Sequence, residues 1–173
     1  MSHADEHPKR LISIVIPVFN EEDVLPVFLE RLARSCSQLD FPFEWVFVDD
    51  GSDDGTSAQL DAARRASDHV GVLRLSRNFG KEVAISAGLQ QAVGDAVVII
   101  DADLQDPPEL IPVLVAKWLE GFDNVFARRT HRAGEGPIKR WTARAFYRLL
   151  ARVTNIEVPA DAGDFRLLDR RAV

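Results

Sequence analysis

The sequence predicts an α/β domain in which a mostly parallel sheet lies between two layers of helices. The chain has 173 residues, the size of one domain or of one domain plus part of another. Apolar residues make up 46% of it and charged residues 28%, the composition of a globular protein with a real core. Short β-branched runs alternate with longer segments whose apolar residues recur at helical spacing. Such alternation is typical of a parallel sheet with helices on both faces.

Six apolar runs predict the strands. The first, Leu11-Ile-Ser-Ile-Val-Ile16, is rich in β-branched residues and is stopped by Pro17. The last is a short strand that follows a loop beginning at Asp161. The predicted strands cover residues 11–16, 43–48, 70–75, 96–100, 122–127 and 165–168.

Five segments predict helices. The turn and capping residues Asp53-Asp54-Gly55-Thr56 open the second, and Gly94 ends the third. The fourth begins at Pro107 and Pro108, which a first helical turn tolerates, and we expect Pro112 to kink it. The predicted helices cover residues 21–37, 56–66, 81–93, 107–120 and 138–153.

Charge and composition exclude several classes of protein. Lys and Arg number 21 and Asp and Glu 27, a net charge of −6, so the chain lacks the cationic excess of a general nucleic-acid binder. The single cysteine, Cys36, excludes an internal disulfide framework and is typical of a reducing compartment. No apolar run approaches the roughly 18–20 residues of a membrane span. Residues 1–10 are polar, and we expect them to form a disordered tail.

Acidic residues follow several of the predicted strands, where parallel α/β sheets bind their ligands. Asp101, Asp103 and Gln105 follow the fourth strand. On an extended segment, residues two apart point to the same side, so these three would form an all-oxygen set suited to Mg²⁺ or Mn²⁺. The alternative for any single Asp is a helix cap or turn former.

The common phosphate-binding loops are missing from the sequence. Gly80-Lys81 is followed by Glu82, so no Walker-type loop is present, and no G-x-G-x-x-G occurs. Phosphate binding would therefore need a metal and basic side chains such as Lys81 or the arginines and lysines of 128–140, which could instead form a solvated surface loop. The residues alone predict a divalent cation at a strand end, a cationic loop and a nucleotide-linked phosphate ester as substrate.

Five motifs follow one another along the chain: Ser13-Ile-Val-Ile-Pro-Val-Phe-Asn-Glu-Glu22, Val48-Asp-Asp-Gly-Ser-Asp-Asp-Gly-Thr56, Asn78-Phe-Gly-Lys81, Gly94-Asp95 and Asp101-Ala-Asp-Leu-Gln-Asp-Pro-Pro-Glu109. A sixth segment, Asp161-Ala-Gly-Asp-Phe-Arg-Leu167, comes after them. The five motifs resemble family 2 glycosyltransferases of the GT-A fold, a three-layer α/β/α sandwich. The fifth motif and the sixth segment are more specific and resemble the polyprenyl-phosphate glycosyltransferases, the group of dolichol-phosphate mannosyltransferase and the undecaprenyl-phosphate glucosyl- and aminoarabinosyl-transferases. The resemblance extends over residues 11–173.

The resemblance implies roles for individual residues. Asp50 would reach the base, and Asp164 would lie near the reacting centre, where we expect it to position groups more than to abstract a proton. Arg129 and Arg132 would hold the acceptor phosphate or the donor diphosphate. The nucleotide-sugar pocket would comprise Pro17, Phe19, Glu21, Asp50, Lys81, Asp101, Ala102 and Asp103; the metal ligands would be Asp101, Asp103 and Gln105; and Asp103 and Asp164 would be catalytic.

Two positions depart from the pattern of that group. Phe19 replaces a more usual tyrosine, which removes a hydroxyl and keeps the ring. Gly136 replaces a serine in the loop after the arginines, a change that favours a looser loop. Neither position is among the implied metal ligands.

The implied activity is a metal-dependent, inverting hexosyl transfer from a nucleotide-diphosphate sugar to a polyprenyl phosphate such as undecaprenyl phosphate. A UDP-sugar is the favoured donor and GDP-mannose the other candidate. We expect a single displacement, because no second carboxylate is an obvious covalent nucleophile. The alternatives are a non-catalytic nucleotide-sugar-binding module and a sugar nucleotidyltransferase, although the latter would carry a glycine-rich loop after the first strand and residues 17–22 have none.

The resemblance also implies that residues 11–173 are a GT-A catalytic domain truncated at its C-terminal end, since such proteins continue past this point with membrane-associated segments. We expect the full-length protein at the cytoplasmic face of the inner membrane and this fragment to be soluble and cytoplasmic. A homo-oligomer remains open. Segment 138–153 could lie on a membrane surface, but we favour its packing on the sheet.

Overall fold

The structure is a computed structural model that describes residues 10–128 and 162–173. Within these residues the chain forms one sheet of six strands. The strands are β1 (Ile12–Val18), β2 (Phe43–Asp49), β3 (Val70–Arg74), β4 (Ala96–Ile99), β5 (Asn124–Arg128) and β6 (Ala162–Asp169). Their spatial order is β3-β2-β1-β4-β6-β5.

The sheet is mostly parallel, as predicted. β1 pairs in parallel with β2 and with β4, and β2 pairs in parallel with β3. β6 is the exception, because it runs antiparallel to both of its neighbours, β4 and β5. The carboxyl ends of β1, β2 and β4 therefore meet at one edge, while β6 approaches that edge with its first residues.

Helices cover both faces of the sheet within the described residues. Alternate residues of β1 face opposite sides, with Ile14 in one apolar cluster and Val15 in the other. The larger cluster contains Phe28, Leu60 and Trp118 from three different helices, and the smaller one lies under the remaining helix. The α-helices are α1 (Leu25–Cys36), α2 (Thr56–Ala66), α3 (Lys81–Gln91) and α4 (Ile111–Leu119), and short 3₁₀ turns cover Pro108–Leu110 and Arg170–Ala172.

Helix α3 packs unusually close to the sheet because a glycine faces it. A Cβ atom on Gly88 would lie 2.4 Å from a methyl carbon of Val15 and 3.0 Å from one of Val48. The missing side chain lets the helix backbone approach β1 and β2 directly. This close contact sets the distance between the sheet and α3, whose first residue is Lys81.

Two proline predictions are wrong. Pro17 lies inside β1 rather than ending it. The Val15 carbonyl accepts the N–H of Ile100 on the β4 side, and the Val18 carbonyl accepts the N–H of Asp50 on the β2 side. Because successive residues of a strand face alternate neighbours, the nitrogen of Pro17 faces β4. The pairing of β1 with β4 ends at Val15 and Ile99, so no N–H is required at Pro17. Pro112 lies in the first turn of α4, because a separate 3₁₀ turn precedes that helix, so it does not kink an interior turn.

The other boundaries agree with prediction to within a few residues, except at β6, which is twice the predicted length. The predicted helix at 138–153 lies outside the described residues, as do residues 1–9 of the predicted tail. Among residues 10–128 and 162–173, no helix has the length and apolar character to cross a bilayer.

Candidate active site at the carboxyl edge of the sheet

A cavity of about 330 Å³ opens where β1, β2 and β4 end. All eight residues predicted for the nucleotide-sugar pocket line it. Sequence reasoning missed four further lining residues, of which Asn78 and Gly80 belong to a motif it had noted. The described residues that line it are Pro17, Val18, Phe19, Glu21, Asp50, Asn78, Gly80, Lys81, Ala84, Asp101, Ala102 and Asp103.

Asp50 anchors the loop that leads into α3. The residue is 3% exposed, and its two carboxylate oxygens accept the backbone N–H groups of Phe79 at 2.8 Å and Gly80 at 2.9 Å. Gly80 has φ of 98°, which glycine adopts readily, and the helix begins at the next residue. In the structure, the Asp50 carboxylate holds the loop that leads to Lys81. A contact of Asp50 with the base of a nucleotide stays a prediction.

The loop after β1 is tied to the loop after β2. The Asn20 side-chain amide donates to Asp53 at 2.7 Å, and its carbonyl oxygen accepts the Asp53 N–H at 3.0 Å. Asn20 itself has φ of 55°, a left-handed conformation that asparagine tolerates better than most residues. This pair fixes the neighbouring positions Phe19 and Glu21 at the mouth of the cavity, and the ring of Phe19 is 41% exposed there.

Lys81 lies between two carboxylates. Its Nζ donates to Asp101 Oδ2 and to Asp164 Oδ2, each at 2.6 Å. Partial burial acts to lower the pKa of Lys81, but these two hydrogen bonds outweigh it, and the pKa is raised. The lysine therefore carries a permanent positive charge in the lining of the cavity.

Negative charge is concentrated around this lysine. Burial raises the pKa of Asp101; the bond to Lys81 opposes that shift, and the charges of Asp103 and Asp164 add to it. The pKa of Glu21 is also raised, first by burial and then by the charges of Asp103 and Asp101. Crowded carboxylates of this kind favour the entry of a cation.

Asp164 lies on strand β6, whereas the sequence placed it in a loop. Because β6 pairs antiparallel with β4, its early residues return to the edge where β4 ends. That pairing brings Asp164 to the same ammonium group as Asp101, and it also places Arg166 at 3.7 Å from the second Asp164 oxygen. The pairing of strands far apart in sequence is what unites the two aspartates.

The segment after β4 is bent, so the extended geometry predicted for Asp101, Asp103 and Gln105 is wrong. Leu104 has φ of 62°, and the Asp103 carboxylate accepts the N–H of Gln105 at 2.9 Å, which closes a local turn. Within the described residues, no three Asp, Glu, His or Cys side chains already converge as a metal site. The turn-forming role that the sequence allowed for a single Asp therefore applies to Asp103.

The donor chemistry nevertheless fits a divalent cation. Asp101 and Asp164 direct one oxygen each at a single point, which the Lys81 ammonium occupies, and Asp103 lines the same cavity. Carboxylate and amide oxygens are the donors that Mg²⁺ and Mn²⁺ prefer. Gln105 is not among the residues that line the cavity.

Several predicted residues cannot be placed. Arg129, Arg132 and Gly136 lie outside the described residues, so the predicted site for acceptor phosphate or diphosphate stays a prediction.

A second cavity, of about 420 Å³, lies at the opposite edge of the sheet, where β6 ends. The Arg10 guanidinium lies 5.1 Å from the ring of Trp118 there, and the Trp118 indole donates to Asp169. Hydrogen bonds from Arg171 and Trp118 lower the pKa of Asp169, whose charge they satisfy. Of the predicted active-site residues that the structure describes, none lines this cavity.

Residues 13–173 match the sequence profile described as Glycosyl transferase family 2. The chain is 44% identical over 162 residues to the prophage bactoprenol glucosyl transferase homolog of Escherichia coli, and the aligned residues make up 94% of this chain and 53% of that protein. It is 51% identical over 122 residues to the undecaprenyl-phosphate 4-deoxy-4-formamido-L-arabinose transferase of Proteus mirabilis, covering 70% of this chain and 37% of the relative. The chain thus spans about half the length of the curated relatives it matches, or less.

The fold is similar to that of a solved glycosyltransferase. Glucosyl-3-phosphoglycerate synthase from Mycobacterium tuberculosis, in complex with Mn²⁺, UDP-glucose and phosphoglyceric acid, superposes with a TM-score of 0.67 at 25% identity. The match covers 94% of this chain and 57% of that one. Together with the sequence match, it confirms the predicted GT-A fold class.

Proposed function

Because the chain belongs to glycosyl transferase family 2, we propose that it is the nucleotide-sugar-binding part of an enzyme that transfers a hexose to a polyprenyl phosphate. The observation that carries the proposal is the cavity at the carboxyl edge of the sheet, which all eight predicted pocket residues line. Two relatives support the acceptor, since their names specify bactoprenol and undecaprenyl phosphate. The UDP-glucose complex of the structural neighbour supports a UDP-sugar as donor over GDP-mannose.

The cavity residues divide the work of binding the donor. The ring of Phe19 offers an exposed apolar surface at the mouth, where a base can stack. Asp50 holds the loop of Phe79 and Gly80 in place and so orients Lys81. Among the described residues that line the cavity, Lys81 is the one with a positively charged side chain, and its ammonium can bind a diphosphate.

Departure of the nucleotide diphosphate creates new negative charge, which is where catalysis requires stabilisation. A divalent cation, Mg²⁺ or Mn²⁺, would supply much of that stabilisation when bound, with Asp101, Asp103 and Asp164 as its proposed ligands. Gln105, which the sequence suggested as a third ligand beside the first two, does not line the cavity. Arg129 and Arg132 are proposed to bind the acceptor phosphate or the diphosphate. The second pKa of a phosphate monoester is about 6, so the acceptor is already largely anionic at neutral pH. Asp164 is accordingly proposed to position groups at the reacting centre rather than to remove a proton.

A lipid acceptor requires the complete enzyme to work at a membrane, and we propose the cytoplasmic face of the inner membrane. Residues 11–173 would then form the catalytic domain of that longer protein. The single inverting displacement is part of the same proposal.

A thermal-shift screen of UDP- and GDP-sugars with Mn²⁺ or Mg²⁺ tests donor binding. A specific ligand at 100 times its dissociation constant stabilises a protein by about 2.7 kcal/mol, which for a domain of this size raises Tm by about 5–10 °C. Asp101→Asn should abolish the shift, whereas Asp95→Asn, an exposed aspartate at the other edge of the sheet, should keep it. The absence of a shift with every nucleotide sugar would contradict the proposal.

A transfer assay separates catalysis from binding. Labelled sugar from the best donor of the screen should move to undecaprenyl phosphate in detergent micelles, with inversion at the anomeric carbon. Binding that is not followed by transfer, in this chain and in its full-length form, would instead favour a nucleotide-sugar-binding module.

A further inference from the structure

The Lys81 ammonium occupies the point at which a cation would join Asp101 to Asp164. Asp101 follows β4, and Asp164 lies on the neighbouring strand β6. The ammonium is 2.6 Å from one oxygen of each, so those two oxygens are separated by at most twice that distance. Two carboxylates this close repel each other unless a positive charge lies between them.

Lys81 is held there by its backbone as well as by its charge. It is the first residue of α3, and the glycine before it is fixed by the hydrogen bond from its N–H to Asp50. The close packing of Gly88 against Val15 sets the depth of the same helix. The backbone of Lys81 is therefore held in place, and only its side chain can move within the cavity.

We infer that Lys81 is a resident counter-ion that competes with the divalent cation for Asp101 and Asp164. In the nucleotide-free protein, the ammonium neutralises the two carboxylates and keeps the affinity for divalent cations low. When cation and nucleotide diphosphate enter together, the ammonium leaves the carboxylates and binds the diphosphate, which lies in the same cavity. Lys81 is thus a positioning residue that makes cation binding depend on the nucleotide, an inference that rests on the proposed function.

This exchange has a thermodynamic signature. Because two ligands that help each other do so reciprocally, nucleotide must tighten cation binding by the factor by which cation tightens nucleotide binding. Removal of the competing ammonium should tighten cation binding in the absence of nucleotide. It should also reduce the factor by which nucleotide tightens cation binding, since no ammonium is left to move from the carboxylates to the diphosphate.

Manganese titration of the 173-residue chain without nucleotide, read by the EPR signal of free Mn²⁺, tests the inference. Lys81→Met should tighten Mn²⁺ binding by about fivefold or more, within the usual range of coupling between sites. Lys117→Met is the matched control, because Lys117 pairs with Glu120 at an exposed position and its loss changes the net charge equally; it should change the dissociation constant less than about twofold. Lys81→Arg retains the charge and should stay close to the wild type.

The results have definite readings. Unchanged or weaker Mn²⁺ binding in Lys81→Met would overturn the inference, as would equal tightening in Lys81→Arg or in Lys117→Met. Absence of Mn²⁺ binding in both the wild type and Lys81→Met would overturn it too. Lys81→Gln replaces Lys81→Met if far-UV circular dichroism shows that the latter does not fold.

A second titration uses UDP with the same proteins. UDP should strengthen Mn²⁺ binding several-fold more in the wild type than in Lys81→Met, and an equal gain in both would also overturn the inference. UDP binding measured alone keeps the proposed function separate: if UDP binds but the Mn²⁺ affinities do not change, the counter-ion inference fails and the proposed function stands.

Discussion

Replacement of Asp50 by Asn should destabilise the protein, because one buried carboxylate holds the loop before α3. Both Asp50 oxygens accept backbone N–H groups, from Phe79 at 2.8 Å and from Gly80 at 2.9 Å, and the residue is 3% exposed. Asn keeps one accepting oxygen, but its amide nitrogen would face a backbone donor. One hydrogen bond is lost, and one partly buried N–H is left without its carboxylate acceptor.

The magnitude follows from that geometry. A hydrogen bond to a charged group contributes about 1.5–3 kcal/mol. Because the freed N–H is only partly buried and water can reach it, we expect a loss of about 1.5–3 kcal/mol in the free energy of unfolding. For a domain of this size, that corresponds to a fall in Tm of about 3–12 °C.

Urea unfolding measures this loss directly, with equal m-values as the check that the unfolded states are comparable. Asp95→Asn is the control, since Asp95 accepts a single backbone N–H, from Leu11, at an exposed position; it should cost less than about 1 kcal/mol. A loss below about 0.5 kcal/mol in Asp50→Asn, inside the scatter of neutral surface changes, would refute the role assigned to this carboxylate.

Two further substitutions test the packing of α3 on the sheet and the charge at the mouth of the cavity. Gly88→Ala gains up to about 1 kcal/mol of helix propensity, but the added Cβ would lie 2.4 Å from a Val15 methyl carbon, and overpacking costs about 1–3 kcal/mol; we expect net destabilisation in thermal unfolding, and a gain in Tm would contradict the packing. The pKa of Glu21 is raised by burial and by Asp103 and Asp101, so its protonated form is favoured in the folded state, and stability falls as pH rises through the folded-state pKa. Glu21→Gln should therefore be more stable than the wild type at pH 7 by about 0.5 kcal/mol. The difference should vanish well below pH 4.5, the ordinary pKa of the group. Urea unfolding at both pH values measures it, and a difference in stability that does not vary with pH would count against the electrostatic explanation.

Local sequence patterns were sufficient to predict the order of elements and the parallel part of the sheet. Each of β1 to β4 is a β-branched or apolar run followed by turn residues, and these signals are contained within a few neighbouring positions. Strand β6 was predicted too short, because its length depends on pairing with β4 and β5 rather than on its own residues. The same non-local pairing determines where Asp164 lies, and no local signal carries it.

The composition of the cavity was also predictable, but its internal contacts were not. The residues that line it follow strand ends, so their convergence follows from the topology of a parallel sheet. The bend at Leu104 could not be predicted, since a left-handed conformation of leucine runs against its intrinsic preference. The hydrogen bond from Lys81 to Asp164 could not be predicted either, because it depends on the non-local pairing of β6. The sequence motif Asn78-Phe-Gly-Lys81 identifies the lysine but not its partner.

Hydrogen–deuterium exchange with UDP and Mn²⁺ tests most directly whether the nucleotide binds at the carboxyl edge of the sheet. We predict slower exchange in peptides that cover residues 17–21, 78–84 and 101–104, which line or adjoin the 330 Å³ cavity, and unchanged exchange around Trp118 and Arg171 at the opposite edge. Slower exchange confined to the Trp118 and Arg171 peptides, or no change anywhere at saturating UDP and Mn²⁺, would contradict the assignment of the site.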